Sequence, residues 1–186
     1  MRTFVALVPS EAEQARLADA AAGLREAGFP IRWVRHENLH LTLKFLGEVS
    51  EERVREVCTA VDAAAAGVAP FAMAVGGFGA FPSLRRPQVV WVGVELEPTL
   101  ESLQTSLEGE LAGLGFARES RAFRPHLTLG RARKHVSPKD FGGLADLVNG
   151  LEYRDAFQIG SLDVVRSRLM PTGAIYDIVH SAEFES

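Results

Sequence analysis

Apolar and polar side chains alternate along some runs of this chain and recur every three to four positions along others, so strands and helices can be read off in turn. Residues 3–8 read as a strand that Pro9 ends. Ser10 is placed to cap a helix with Glu13 as its capping-box partner; the Ala-rich run continues it to Ala27, where Gly28 and Pro30 stop it. A short strand over 31–35 and a second over 40–46 follow. Ser50 caps the next helix, Glu51 and Glu52 complement its N-terminal dipole, and Val54, Val57, Cys58 and Val61 form its core stripe. Residues 71–75 predict a strand running into a glycine-rich loop at Gly76, Gly77 and Gly79, and 88–94 another strand. Leu100, Leu103, Leu107, Leu111 and Leu114 mark a long helix that Gly115 ends. One more strand follows Pro125, and Ser137 with Pro138 opens a short helix that Gly142 and Gly143 weaken. Strands over 157–166 and 174–180 flank a turn at Pro171-Thr172-Gly173.

Two of these strands begin with the same tetrapeptide, His40-Leu41-Thr42-Leu43 and His126-Leu127-Thr128-Leu129. Strand side chains alternate between faces, so each run offers an imidazole and a hydroxyl on one face and two leucines on the other. With seven Thr among 186 residues, a given His has Thr two places on about once in 27 cases, which makes two such occurrences with identical leucines a poor coincidence. The motifs stand 86 positions apart, and the same shift carries Val5 onto Trp91, Phe71 onto Phe157, and the last strand back onto 89–94. The expected fold is α+β: a duplicated unit with pseudo-two-fold symmetry, mostly antiparallel sheet, helices outside and a central cleft. The two-fold aims both His/Thr pairs into that cleft. No linker composition separates the halves, so residues 1–186 are read as one domain with two pseudo-symmetric lobes.

Bulk properties narrow the setting. Hydrophobic residues at 47% and charged residues at 24% are ordinary soluble usage. A formal charge of -4 argues against a protein that coats nucleic acid, while leaving room for a local basic cleft. The lone Cys58 cannot form an internal disulfide and lies on an apolar stripe, which favours core over nucleophile. The apolar run at 4–8 is too short for a signal-peptide core, and no stretch approaches a membrane span. A cytoplasmic protein without membrane contact is expected.

Two imidazoles across a cleft suit paired proton transfer, because an unperturbed histidine titrates near working pH. Threonine hydroxyls suit donation to oxygens that gain charge in a transition state. Phosphodiester cleavage needs that set: an attacking oxygen to deprotonate, a leaving oxygen to protonate, and non-bridging oxygens to hold. Zinc chemistry wants a third ligand; His36 is the one candidate beside His40, and a metal site is not expected. No nucleophile elbow, Walker loop or dinucleotide fingerprint is present, and no cofactor is expected.

At these residues the chain resembles the 2H phosphoesterase superfamily, and within it the RNA 2′,3′-cyclic phosphodiesterases once described as 2′-5′ RNA ligases. The resemblance runs from Arg2-Thr3-Phe4-Val5-Ala6-Leu7 through Trp33-Val34-Arg35 and Asn38 to Gly47, Phe81-Pro82-Ser83, Arg86-Pro87, Trp91-Val92-Gly93 and Arg124 to Leu129. It closes on Ser167-Arg168-Leu169 and Gly173-Ala174-Ile175-Tyr176. It implies metal-free hydrolysis of an RNA 2′,3′-cyclic phosphate to a 2′-phosphate by a monomer, with reversible 2′-5′ ligation as a related activity. His40 would then protonate the departing 3′ oxygen, His126 activate water, and Thr42 and Thr128 hold phosphate oxygens. Phe45 and Arg131, five positions past each His, would contact substrate. Strict alternation turns both away from the histidine face, so that role needs a bulge; the competing readings are core packing for Phe45 and a solvated strand end for Arg131. Lys44 continues the His40 face, where the other half has Gly130. Arg85-Arg86 and 131–135 would guide an RNA end or be plain charged loops, and His135 and His180 are bystanders. Other readings of the same residues are a phosphodiesterase for a different small cyclic phosphate or a 2′-5′ oligonucleotide, and a catalytically silent RNA-binding module.

Overall fold

Residues 1–185 are described by a computed structural model. The strands are β1 (Arg2–Leu7), β2 (Ile31–Trp33), β3 (Leu41–Glu48), β4 (Phe71–Pro82), β5 (Pro87–Val94), β6 (His126–Ala132), β7 (Arg154–Ile159), β8 (Ser161–Met170) and β9 (Gly173–Glu183). The helices are α1 (Glu11–Ala20), α2 (Ala22–Glu26), α3 (Glu51–Ala65), α4 (Pro98–Gly113) and α5 (Leu144–Asn149). The strands form one antiparallel sheet in the order β7-β4-β5-β6-β3-β1-β8-β9, with β2 paired to β6. This is the expected α+β architecture, and α1 starts on the expected capping box, Ser10 with Glu13.

The sheet divides at β3 and β6, whose ladder consists of the single pair Leu41↔Leu127. Those leucines are themselves 86 positions apart, so the pseudo-two-fold passes through their contact. The first lobe is then β3-β1-β8-β9 and the second β6-β5-β4-β7 with β2. Each half of the sequence therefore lends strands to the other half's lobe: β2 and β4 cross into the second lobe, β8 and β9 into the first. Three details of the 86-residue mapping change accordingly. Phe71 and Phe157 lie on the paired neighbours β4 and β7, and β9 occupies a lobe edge beside β8, where its counterpart is β7. Trp91 is equivalent to Ala6, not Val5, since both sit opposite the motif threonine in their ladders.

Two expectations fail for one reason, that partners far away in sequence decide where a strand continues and where it stops. The Gly76–Gly79 stretch is inside β4, a 12-residue strand that absorbs the glycines in a register shift between Val75 and Phe78. The stretch 157–166 is two strands, broken at Gly160, that belong to opposite lobes. The predicted long first helix also breaks, at Ala21 between α1 and α2.

Helix-side side chains of both lobes merge in one core. Val5, Leu7, Leu41, Val92 and Leu127 from the central strands pack with Val57 and Val61 of α3 and Leu103, Leu107 and Leu111 of α4. Burying each such side chain contributes about 1.5 to 3 kcal/mol, so the stripes read from the sequence hold the two lobes together. Cys58 is half-buried, and its thiol pKa is raised by that burial. No helix among the described residues is long and apolar enough to cross a membrane.

Candidate active site

Both motif histidines precede or open their strand beside the Leu41↔Leu127 contact, and both line one cavity of about 770 Å³ between the lobes. Thr42, Thr128, Phe45 and Arg131 line the same cavity. Phe45 and Arg131 reach it because each motif strand carries a bulge between its threonine and these side chains. On β3 the partners step from Val5↔Lys44 to Ala6↔Thr42, leaving Leu43 unpaired; on β6 they step from Val90↔Gly130 to Trp91↔Thr128, leaving Leu129 unpaired. One extra residue reverses the alternation. It turns Phe45, 60% exposed, and Arg131 back toward the histidine face.

The same bulge corrects the expectation for Lys44 in part: it leaves the alternation of the His40 face and lies opposite Val5 toward α4, while still bordering the cavity. It is buried, and its Nζ donates to Glu108 Oε2 of α4 (3.0 Å) and to the Ala117 carbonyl (2.6 Å). Glu108 Oε2 also accepts the Glu119 N–H (3.2 Å), so this pair ties down the loop leading to His126. At the equivalent place Gly130 is required by β2: a Cβ there would stand 2.6 Å from Ile31 Cγ2 and 2.9 Å from Trp33 Cε3.

Each imidazole is anchored in the same way. His40 Nδ1 lies 2.7 Å from the Asn38 carbonyl and His126 Nδ1 2.7 Å from the Arg124 carbonyl. A carbonyl only accepts, so both Nδ1 atoms carry the proton and both Nε2 atoms are left with a lone pair. The segment before His40 is fixed by Gln14, which donates to the Leu39 carbonyl (2.9 Å), and by Asn38, which donates to the Ala174 carbonyl of β9 (2.8 Å). The halves then differ. Thr42 Oγ1 sits 2.9 Å from His40 Nε2 and donates to it in this tautomer.

Aromatic rings complete both settings. Phe4 stacks on His40 at 4.8 Å and Tyr176 meets it edge-on at 5.3 Å, while Phe81 meets His126 edge-on at 5.0 Å. Burial among these groups holds the His40 imidazole down at about 4; the Asn38 carbonyl opposes this, and the Arg131 and His126 charges add to it. His126 is lowered for the same first reason, with the Arg124 carbonyl opposing and Arg131 adding. These surroundings favour two neutral imidazoles, each presenting a lone pair.

Sequence reasoning did not assign roles to Phe4, Tyr176, Phe81 or the Arg124 carbonyl. The aromatic residues fell within the family-like motifs, but nothing in their local pattern says which face they take. The loop bringing Arg121 and Arg124 to the cavity has no periodicity to read. His36 is half-exposed beside Glu37, and His180 pairs with Asp62 at 2.6 Å; neither they nor His135 line the cavity. Among the described residues, no group of three or more His, Cys, Asp or Glu is placed to hold a metal ion.

Comparison with known proteins agrees with this two-part construction. A family model described as LigT like Phosphoesterase matches twice in succession, over residues 7–91 and 92–176. A Thermotoga maritima protein named RNA 2′,3′-cyclic phosphodiesterase is 35% identical, the match covering 100% of this chain and 96% of the relative. A Methanothermobacter thermautotrophicus protein of the same name is 35% identical over 95% of both chains. Among solved structures, a Thermus thermophilus protein superposes with a TM-score of 0.82 at 29% identity, covering all of both chains. Escherichia coli LigT complexed with 3′-AMP superposes at 0.73 and 25% identity, covering 100% of this chain and 98% of that one. With the family model matching residues 7–91 and 92–176 and relatives above 30% identity matched over nearly their full length, the chain belongs to the LigT-like phosphoesterases, a 2H phosphoesterase family.

Proposed function

We propose that this protein hydrolyses RNA 2′,3′-cyclic phosphate ends to 2′-phosphate ends without a metal ion. The observation that carries the reading is the pair of Nδ1-anchored imidazoles whose Nε2 atoms serve one cavity, each with a threonine two residues on. The relatives' name supplies the substrate class. Water attacks phosphorus as His126 Nε2 takes its proton, and the P–O3′ bond breaks as His40 Nε2 delivers a proton to the 3′ oxygen. The 2′ ester is retained. Phe45 stacks on the terminal base and Arg131 faces the phosphate.

These roles make a demand on His40, whose surroundings leave it the less basic partner. The bound phosphate anion must raise its proton affinity, and Thr42 must turn its hydroxyl from His40 Nε2 to a phosphate oxygen, freeing the nitrogen. With a 5′-hydroxyl in place of water, the same steps form a 2′-5′ linkage. The test is turnover of 2′,3′-cyclic AMP in EDTA by wild type, His40→Ala and His126→Ala. Each substitution is expected to cost roughly 100- to 10,000-fold in rate, with wild type indifferent to the chelator. Full activity in either variant, or loss of wild-type activity in EDTA, refutes the mechanism. RNA binding without turnover in wild type would leave the silent module.

A further inference from the structure

The two ends of the cavity differ in how densely they carry unpaired cations. Because β3 and β6 meet antiparallel at Leu41 and Leu127, they leave the cavity in opposite directions. Toward the far end of β3 lie Phe45, Leu169 and Met170, exposed at 60%, 73% and 46%. Of the cations there, Arg166 and Arg168 are paired with Asp177, while Arg2 and, on the loop before His126, Arg121 and Arg124 are exposed and without an ion pair among the described residues. Toward the far end of β6 lie Arg131, Arg133 and Lys134, with Arg32 of β2 directly opposite Arg131. The β4–β5 turn arrives at the same place. Phe81, the edge-on partner of His126, leads into it, Pro82↔Pro87 closes it, and it carries Arg85 and Arg86 level with Arg133, since Val89 pairs with Arg131. All six side chains are exposed, and among the described residues none forms an ion pair. In a chain of formal charge -4 this is a concentrated exception.

Resting on the reading of the cavity as a site for cyclic RNA ends, we propose that Arg32, Arg85, Arg86, Arg133 and Lys134 form a track for the single-stranded RNA lying 5′ of the cyclic phosphate. A cyclic phosphate is the 3′ terminus, so all remaining nucleotides leave the cavity in one direction. Backbone phosphates select the end where six exposed cations cluster, whereas the other end mixes three with the apolar surface of Phe45, Leu169 and Met170. At about 3.3 Å per residue, the track runs roughly 20 Å along β6 beyond His126, enough for several nucleotides. The protein is therefore a processor of RNA termini more than of cyclic mononucleotides.

The test uses cyclic-phosphate-ended substrates of one, two, four and six nucleotides with wild type, R85E/R86E and R133E/K134E. Wild-type kcat/KM is expected to rise about 10- to 100-fold from one to six nucleotides in low salt. Either double variant should abolish that gain while turning over the cyclic mononucleotide within twofold of wild type. The salt dependence should flatten by roughly 0.7 in logarithmic slope for each phosphate no longer neutralised. No length dependence in wild type, retention of the gain in both variants, or equal loss on the mononucleotide overturns the track. If wild type hydrolyses nothing, the reading of the site has failed, and binding of a fluorescent hexanucleotide ending in a 2′-phosphate decides the track alone. Weakening by tenfold or more in the variants supports it, and unchanged affinity overturns it.

Discussion

Replacing His40 by Gln should remove a distinct part of the acid sensitivity of this fold, the part that falls between pH 6.5 and about 4. The imidazole titrates at 6.5 when free and is held down at about 4 in the folded protein, chiefly by burial against Phe4 and Tyr176. Between those values the unfolded chain binds a proton that the folded chain refuses, so stability rises with pH there. The neutral site is fully stable above about pH 6.5 and loses stability as pH falls toward 4. At 1.36 kcal/mol per pH unit, that interval amounts to about 3 kcal/mol from this one group. His126 acts in the same direction, from a more open position. Urea unfolding of wild type and His40→Gln at intervals between pH 4 and 7.5 measures the difference. Wild type should lose about 3 kcal/mol more than the variant over that range. Identical pH dependence would mean the imidazole is not held neutral by the fold. In that case the requirement that substrate raise its proton affinity falls too. An NMR titration gives the direct check: the His40 resonance should stay neutral to well below pH 6 in the free enzyme and move upward when a 2′-nucleotide binds.

Removing Lys44 tests the other product of the bulge. Lys44→Met strands the Glu108 carboxylate in a buried site and should cost about 3 to 5 kcal/mol in unfolding free energy, with Lys44→Met/Glu108→Leu recovering most of it. A double variant no better than the single would show that the pair is not what the loop depends on. Phe45→Ala should raise KM for cyclic nucleotides roughly 5- to 150-fold with kcat nearly unchanged, the usual scale of one base–aromatic stack, and Arg131→Ala should raise it in a salt-dependent way. A fall in kcat at constant KM would instead place these side chains with the reacting atoms.

Much of this was legible in the sequence because it is written in short patterns. The leucine stripe of α4, the Ser10–Glu13 box and the alternating motif strands each depend on neighbours within a turn or two. The 86-residue shift exposed the duplication because histidine, threonine and leucine recur together. What was not legible depends on partners far away in sequence. Gly76 and Gly77 read locally as a loop, yet β7 pairs with Gly76 and the β5 ladder resumes at Phe78, so both stay within one strand. Leu43 and Leu129 carry no mark of a bulge; the extra residue exists only relative to β1 and β5. Lys44 followed the wrong face for the same cause, since a one-residue slip reverses every later side chain.

The crossing of β4 and β8 bears on how the two motif histidines are held. A single ladder pair, Leu41↔Leu127, is too little to fix two lobes against each other. Were each sequence half to build its own lobe, the distance between the histidines would depend on that contact and on loose packing. Instead Phe81, at the end of a strand sent over from the first half, lies against His126. Tyr176, on a β9 that pairs with the strand sent over from the second half, lies against His40. Each imidazole is therefore walled by chain from outside its own repeat or by a strand docked on such chain. The alternative, a hinge between two closed units, would leave the two imidazoles free to drift by more than a hydrogen bond. Strand exchange converts that hinge into one continuous sheet and core, which is what the proposed pair of proton transfers at a single phosphorus would require of its scaffold.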